Sequence, residues 1–141
     1  MELFLVLAIL GVISAIAIPR FGGSMALHRL GAAARRIAAD LKLARNRAMT
    51  TSANQIFRID GAGYSLIGMP DPDHPAQEYR VPLAEACHGA AWIYIDAGGD
   101  SDLVFNMYGA PDSAATLRIR LGDTSRTIVV AADTGRVEIQ E

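Results

Sequence analysis

Residues 3–18 read LFLVLAILGVISAIAI, a run of 16 uncharged and mostly apolar residues that Pro19 and Arg20 follow. As an α-helix the run would be about 24 Å long, against about 30 Å for the hydrocarbon core of a bilayer. Three interpretations fit it: the apolar region of a signal peptide, a buried core helix, or a membrane helix. Gly11 and Ala15 have the spacing of small residues that lets helices approach closely in lipid, which favours the membrane helix.

The flanks of this run bear on the two other interpretations. A signal peptide carries basic residues before its apolar region, and none precedes Leu3, although Ala15-Ile16-Ala17 has a small-x-small cleavage pattern. A core helix is apolar on one face, whereas this run is apolar all round. Because the nearest cations follow the run, the positive-inside rule read literally places the C-terminal domain in the cytoplasm, and a basic leader upstream would reverse that.

The composition of the whole chain is that of a folded protein rather than of a disordered polyelectrolyte. The protein has 141 residues, of which 51% are hydrophobic and 20% charged, and its net charge is −2. This length can bury a sizeable core, and the lone cysteine, Cys87, excludes a disulfide framework and a multi-cysteine zinc site. Residues 20–47 contain seven basic residues and one acid, whereas residues 48–141 contain six basic and thirteen acidic residues.

The basic segment predicts an amphipathic helix. Its apolar residues recur in steps of three and four, the period of a helix. They are Leu27, Leu30, Ala34, Ile37, Leu41, Ala44 and Ala48. We expect this stripe to pack on the protein's own domain and the basic face to be solvated. A two-stranded coiled coil is a weaker interpretation because alternate alanines bury little area. The basic face also suits anionic lipid head groups or acidic partners, and no aromatic residues interleave with it as nucleic-acid binding favours.

From about Asn54 the apolar period changes to that of strands. Alternating patterns predict strands at residues 55–60, 64–67, 92–95, 103–107, 117–121, 127–130 and 136–139, with a short edge strand at 79–81. Gly61-Ala62-Gly63 predicts a hairpin, four prolines predict a loop over residues 69–82, and the last three strands predict a meander with one wet face. The expected fold is α+β, a long N-terminal α-helix kinked near Pro19 and packed on an antiparallel β-sheet domain.

Four segments of the chain resemble a known family. Glu2 and the run AILGVISAIAIPRF at Ala8–Phe21 resemble the N-terminus of type IV pilin-like proteins, with the family's separation between its glutamate and its proline. The run ADLKLARNRA at residues 39–48 resembles the "DLxxARxxA" helix of the GspH/FimT group of minor pseudopilins and minor pilins. Gly109-Ala110-Pro111 and Gly135-Arg136-Val137 also fit, so the resemblance covers nearly the whole chain.

The resemblance implies a pilin-like organisation in three parts. Residues 1–21 would form the membrane and filament-core helix, residues 22–53 the basic amphipathic helix, and residues 54–141 the β-domain. It implies a single-pass protein of the bacterial inner membrane with a periplasmic C-terminal domain that becomes a filament subunit. The family's basic leader and first mature residues do not precede Met1, so we expect that the sequence is trimmed or that its start is assigned too late.

The function implied is that of a structural minor pseudopilin of a type II secretion pseudopilus, which helps to initiate or cap the filament. The alternative is a FimT-like minor pilin of a type IV pilus that binds DNA for uptake. Expected partners are other pseudopilins or minor pilins, the inner-membrane assembly platform and, where a leader exists upstream, the prepilin peptidase. Secreted cargo is a further candidate partner.

The expected subunit-assembly residues are Glu2, Gly11, Ala15 and Pro19. An ionised carboxylate in hydrocarbon needs a partner, and in the family the glutamate is thought to pair with the N-terminal amine of a neighbouring subunit. A proline inside a helix removes a backbone donor, so Pro19 predicts a kink or a loosened turn, or else the end of the first helix.

The DNA-binding alternative rests on Arg136. DNA-binding FimT-like proteins carry a basic Gly-Arg-x-Arg element, whereas this chain reads Gly135-Arg136-Val137-Glu138, and the acidity of residues 48–141 opposes phosphate binding. Both features argue against DNA as a partner.

The sequence contains no catalytic motif, phosphate-binding glycine loop or metal-ligand spacing. We accordingly expect no enzyme activity, cofactor or metal. The acidic loop Asp96–Asp102 lacks the spacing of an EF-hand and predicts a solvated turn. Cys87-His88 predicts a loop pair rather than a nucleophile.

Overall fold

A long helix precedes a set of strands in the computed structural model, which describes residues 2–60, 63–83, 94–96 and 101–140. The helix, α1, spans Glu2–Thr51. The strands are β1 (Gln55–Ile59), β2 (Gly63–Pro70), β3 (Glu78–Pro82), β4 (Tyr94–Asp96), β5 (Asp102–Phe105), β6 (Ala115–Leu121), β7 (Thr124–Val130) and β8 (Val137–Gln140). The predicted α+β class, with an N-terminal helix on antiparallel sheet, is confirmed.

The described strands form two four-stranded antiparallel sheets. Their orders are β3-β2-β1-β5 and β4-β6-β7-β8. The predicted hairpin pairs β1 with β2, with Ile56 opposite Ile67. The predicted edge strand is β3, which lies at one edge of the first sheet, and the predicted meander is β6-β7-β8.

β4 and β5 follow each other along the chain but belong to different sheets. β4 pairs with β6 in the second sheet, whereas β5 returns to pair with β1 in the first, with Phe57 opposite Leu103. The loop expected from residue 69 begins later, because β2 continues to Pro70 through a register shift after Leu66. A register shift of this kind interrupts the ladder locally, and pairing resumes where Pro70 lies opposite Glu78.

The core lies between α1 and the two sheets. The helix contributes a stripe of buried residues with the predicted period, rich in alanine, and it contacts β1, β5, β6, β7 and β8. The members are Leu30, Ala33, Ala34, Ile37, Ala38, Leu41, Ala44 and Ala48. Opposite them, the Phe57 and Tyr64 rings stack at a centroid distance of 4.7 Å, and β6 alternates buried and exposed residues as predicted.

Leu27 was predicted to lie on the buried stripe of the helix, and this prediction is wrong. Its side chain is 46% exposed, whereas Leu30, one turn further along, is fully buried. The sheets therefore begin to cover the helix about one turn later than the apolar period suggests. The remaining stripe residues pack on the protein's own domain, which confirms that interpretation over the coiled coil.

Several predictions fall outside the described residues. They concern Gly61-Ala62, the start of the strand at residues 92–95, Cys87-His88 and most of the Asp96–Asp102 loop. α1 includes Pro19, so Pro19 does not end the helix, and the kink there stays a prediction. Within the described part of the chain, no helix combines the length and apolar character needed to cross a membrane.

Candidate functional site

The "DLxxARxxA" segment joins α1 to the C-terminal strands at Arg45. The Nε of Arg45 donates a hydrogen bond to the carbonyl oxygen of Gly109 at 3.2 Å. Gly135 lies against the same two groups, because a Cβ on it would fall 2.2 Å from the Gly109 oxygen and 3.2 Å from the Arg45 Nε. Gly135 has φ +63°, which also favours glycine. We call Arg45, Gly109 and Gly135 the Arg45 junction.

The loop on the far side of this junction is built around Asn106. The Asn106 Oδ1 accepts hydrogen bonds from the backbone N–H groups of Tyr108 and Ala110, at 2.9 and 3.1 Å. Backbone bonds link Asn106 to Ala110 and to Gly109. This fixed loop presents the Tyr108 side chain to solvent, 79% exposed.

A buried polar cluster lies on the same helix one turn earlier. Asp40 is only 6% exposed. Its Oδ2 accepts hydrogen bonds from the Tyr64 hydroxyl at 2.5 Å, the Tyr79 hydroxyl at 3.0 Å and the Arg36 Nε at 3.3 Å. Arg36 also donates from Nη2 to the Tyr79 hydroxyl at 2.9 Å. Because a buried carboxylate needs such donors, the cluster fixes α1 against β2 and β3.

This cluster perturbs the two tyrosines in the same direction. Burial, followed by the hydrogen bond to Asp40 and the charge of Asp40, raises the pKa of Tyr64 well above its ordinary value. Burial is also the largest cause that raises the pKa of Tyr79. Both hydroxyls therefore stay protonated and keep donating to Asp40 at neutral pH.

A cleft of about 360 Å³ runs between α1 and the start of β8. We call it the cationic groove, because three of its lining side chains are basic. It is lined by Lys42, Arg45, Asn46, Gly135, Arg136, Val137 and Glu138. The Nε of Arg136 lies 3.1 Å from the Glu138 Oε1, and both of these side chains are largely exposed.

The structure brings Arg136 together with Lys42 and Arg45, and it places the other predicted site residues elsewhere. Glu2, Gly11, Ala15 and Pro19 all belong to α1. A Cβ on Gly11 would have nothing within 4 Å, so this position is open for a close neighbour. The side chains of Glu2, Ala15 and Pro19 lie outside the described set.

The sequence did not reveal the Arg45 junction or the Asp40 cluster. In the sequence, Asp40 stands out only as the single acid of the basic segment, which does not predict its burial. A signal for it exists: Asp40 lies between Ile37 and Leu41 on the apolar side of the helix. In the acidic loop, Asp102 accepts two hydrogen bonds from Arg58 at 2.9 and 2.7 Å.

The start of α1 is an exposed apolar surface. Its large side chains leave between half and four-fifths of their area accessible. They are Leu3, Phe4, Val6, Leu7, Ile9 and Leu10. Contiguous apolar surface on this scale is typical of a protein or membrane contact.

A long helix that is exposed and apolar at its start and packed on antiparallel sheet at its end defines a pilin-like protein. The family described as type II transport protein GspH matches residues 33–134. This match covers well over half of the chain. The chain therefore belongs to the GspH family, and its role is that of a minor pilin or minor pseudopilin.

Solved structures show the same fold. The type IV minor pilin FimU of Pseudomonas aeruginosa superposes with a TM-score of 0.64 at 18% identity, over 81% of this chain and 90% of FimU. The minor pseudopilin EpsH from the type 2 secretion system of Vibrio cholerae gives a TM-score of 0.58 at 14% identity, over 79% of this chain and 96% of EpsH. Comparison with curated proteins finds no significant match.

Proposed function

We propose that this protein is a structural minor pseudopilin of a type II secretion pseudopilus. It assembles through its N-terminal helix and helps to initiate or cap the filament. The family description, which is that of a type II transport protein, supports the secretion assignment. The role is structural rather than enzymatic.

The observation that carries this proposal is the difference in solvent exposure between the start of α1 and its second half. Leu3 and Phe4 are 76% and 81% exposed, whereas Leu41 on the same helix is fully buried. Exposed leucine and phenylalanine side chains gain about 1.5 to 3 kcal/mol each when they are fully buried. A helix with an exposed apolar start and a docked second half is suited to burial among other subunits.

Before assembly, the N-terminal helix anchors the protein in the bacterial inner membrane, with the β-domain in the periplasm. Glu2 pairs with the amine of a neighbouring subunit and so sets the register of assembly. Gly11 and Ala15 permit close helix approach, and Pro19 loosens the helix where it leaves the membrane. The partners in assembly are other pseudopilins and the inner-membrane assembly platform. The prepilin peptidase acts on any upstream leader, and secreted cargo is a further contact.

The second candidate is a FimT-like minor pilin of a type IV pilus that binds DNA. One observation favours it: Arg136 lies in the cationic groove with Lys42 and Arg45. The acidity of residues 48–141, which contain six basic and thirteen acidic residues, weighs against it, because a long polyanion would also meet the acidic surface outside the groove. Deletion of the gene discriminates the two, since the secretion role predicts lost export of secreted proteins and the pilus role predicts lost piliation or DNA uptake.

Glu2→Ala in the protein as the bacterium makes it tests the assembly role. We expect the variant to fail to enter filaments, as measured by crosslinking to neighbouring subunits, while its β-domain keeps the wild-type free energy of unfolding. Asp123→Ala, which removes an exposed turn carboxylate, is the matched control and should assemble normally. Normal crosslinking of the Glu2→Ala variant would refute the proposed role of this carboxylate.

A further inference from the structure

β8 forms an open edge among the described strands, because the second sheet ends with it in the order β4-β6-β7-β8. The N–H of Ala131 donates to the carbonyl oxygen of Arg136 at 3.0 Å, so Arg136 is hydrogen-bonded towards the β7 side. Hydrogen-bonded and non-hydrogen-bonded residue pairs alternate along an antiparallel ladder. The backbone groups of Glu138 therefore also face β7, whereas Val137 and Ile139 direct their backbone N–H and C=O groups to the open edge. Unpaired groups of this kind are a template for an added strand.

The cationic groove runs beside this edge. Lys42 and Arg136 are exposed there, and Arg45 is held in place by its bond to Gly109. Against these three cations the groove lining has one carboxylate, Glu138. The groove therefore favours a ligand that carries negative charge, in contrast to the acidic sequence of the rest of the β-domain.

An exposed aromatic residue lies next to the groove. Tyr108 is 79% exposed, and the Asn106 hydrogen bonds hold its loop in one conformation. The following residue, Gly109, contacts Arg45 and Gly135 of the groove lining. An exposed tyrosine on a preorganised loop binds a partner at low entropic cost, because little ordering remains to be done.

We propose that β8 and the cationic groove bind an extended acidic segment of another filament subunit, which adds as a strand to the edge of β8 that no described strand covers. The backbone groups of Val137 and Ile139 would pair with the segment, Lys42 and Arg136 would meet its carboxylates, and Tyr108 would pack on one end. The assignment of the segment to a filament subunit rests on the proposed function. The open strand edge favours a peptide over DNA, because a nucleic acid has no amide backbone to pair with it.

Binding of a fluorescent, capped peptide of alternating valine and glutamate to the full chain in detergent tests this proposal. We expect saturable binding, with amide NMR shifts at Val137 and Ile139, and no binding of the valine–lysine counterpart. The Lys42→Glu, Arg136→Glu double variant turns two exposed attractions into repulsions and should weaken binding by about tenfold. The Arg118→Glu, Arg120→Glu double variant, an equal charge change on the exposed face of β6, should leave affinity within about twofold.

The strand addition itself is tested at Ile139. Ile139→Pro removes the outward N–H, which edge strands tolerate, and should abolish peptide binding, whereas Ile139→Val keeps the N–H and should bind normally. Equal peptide affinity of the wild type and the charge-reversed variant, or no peptide binding at all, would overturn the proposal. So would tighter binding of duplex DNA that the same substitutions abolish, since this would make the groove a nucleic-acid site. None of these readouts involves filament entry, so their failure is separate from failure of the Glu2→Ala test.

Discussion

The two ends of α1 use apolar residues in opposite ways. At its start, large residues such as Leu3 and Phe4 are exposed, whereas at its end small residues such as Ala44 and Ala48 are fully buried. Alanine lets the sheets approach the helix closely, and it provides little area to bind anything else. The difference teaches that solvent exposure, rather than apolar character alone, separates the half of the helix that folds the domain from the half available for assembly.

Replacing one leucine by alanine in each half of α1 should give the largest difference in the free energy of unfolding. Leu41→Ala leaves a cavity in the core and should lower the free energy of unfolding by about 3 kcal/mol. Leu7→Ala removes a side chain that is 59% exposed and should change it by less than about 0.5 kcal/mol. Urea denaturation of the two variants checks this, and equal losses would erase the distinction between the halves.

Removing the Asp40 carboxylate should have the next largest effect. Asp40→Ala leaves the hydroxyls of Tyr64 and Tyr79 without their acceptor and should cost about 2 kcal/mol of folding stability. Asp123→Ala, at an exposed turn, is the control and should cost almost nothing. Thermal or urea unfolding of both variants measures the difference, and wild-type stability of Asp40→Ala would show that the cluster does not hold the helix to the sheet.

Alkaline pH should lower the free energy of unfolding by a smaller amount per pH unit than Asp40→Ala does. The folded protein raises the pKa of Tyr64, so above about pH 10 the unfolded chain has released a proton that the folded chain still holds. Stability contributed by this group is complete below pH 10 and falls as the pH rises, by about 1.4 kcal/mol per pH unit for one proton. Urea midpoints between pH 8 and 11 measure it, and Tyr64→Phe should flatten the slope. An unchanged slope in that variant would exclude Tyr64 as the source.

Local sequence patterns were sufficient to predict the helix and the main strands of this fold. The three-and-four spacing of Leu30, Ile37 and Leu41 predicts the buried helix stripe, and alternation predicts the β6-β7-β8 meander. Leu27 shows the limit, because period alone does not tell where the sheets stop covering a helix. The Glu2 to Pro19 register and the "DLxxARxxA" segment indicated the family, which the match over residues 33–134 confirms.

Long-range pairing could not be predicted from the sequence. The division into two sheets depends on β5 returning to β1, and nothing in either strand encodes that choice locally. The Asp40 cluster joins residues 24 and 39 positions apart, and the Arg45 junction joins residues 64 apart. These contacts exist only once the helix is docked, so a helical wheel shows Arg45 as a solvated cation and hides its bond to Gly109.

The central claim is that the exposed start of α1 is covered by neighbouring subunits in the assembled filament. Its most direct test is a photocrosslinking amino acid placed at Leu7 in the producing bacterium, with the same substitution at Thr116 on the exposed face of β6 as the control. The account predicts a covalent adduct from position 7 to another pilin-like subunit, identified by mass spectrometry, and none from position 116. Filaments that contain the protein but give no such adduct at position 7 would contradict it.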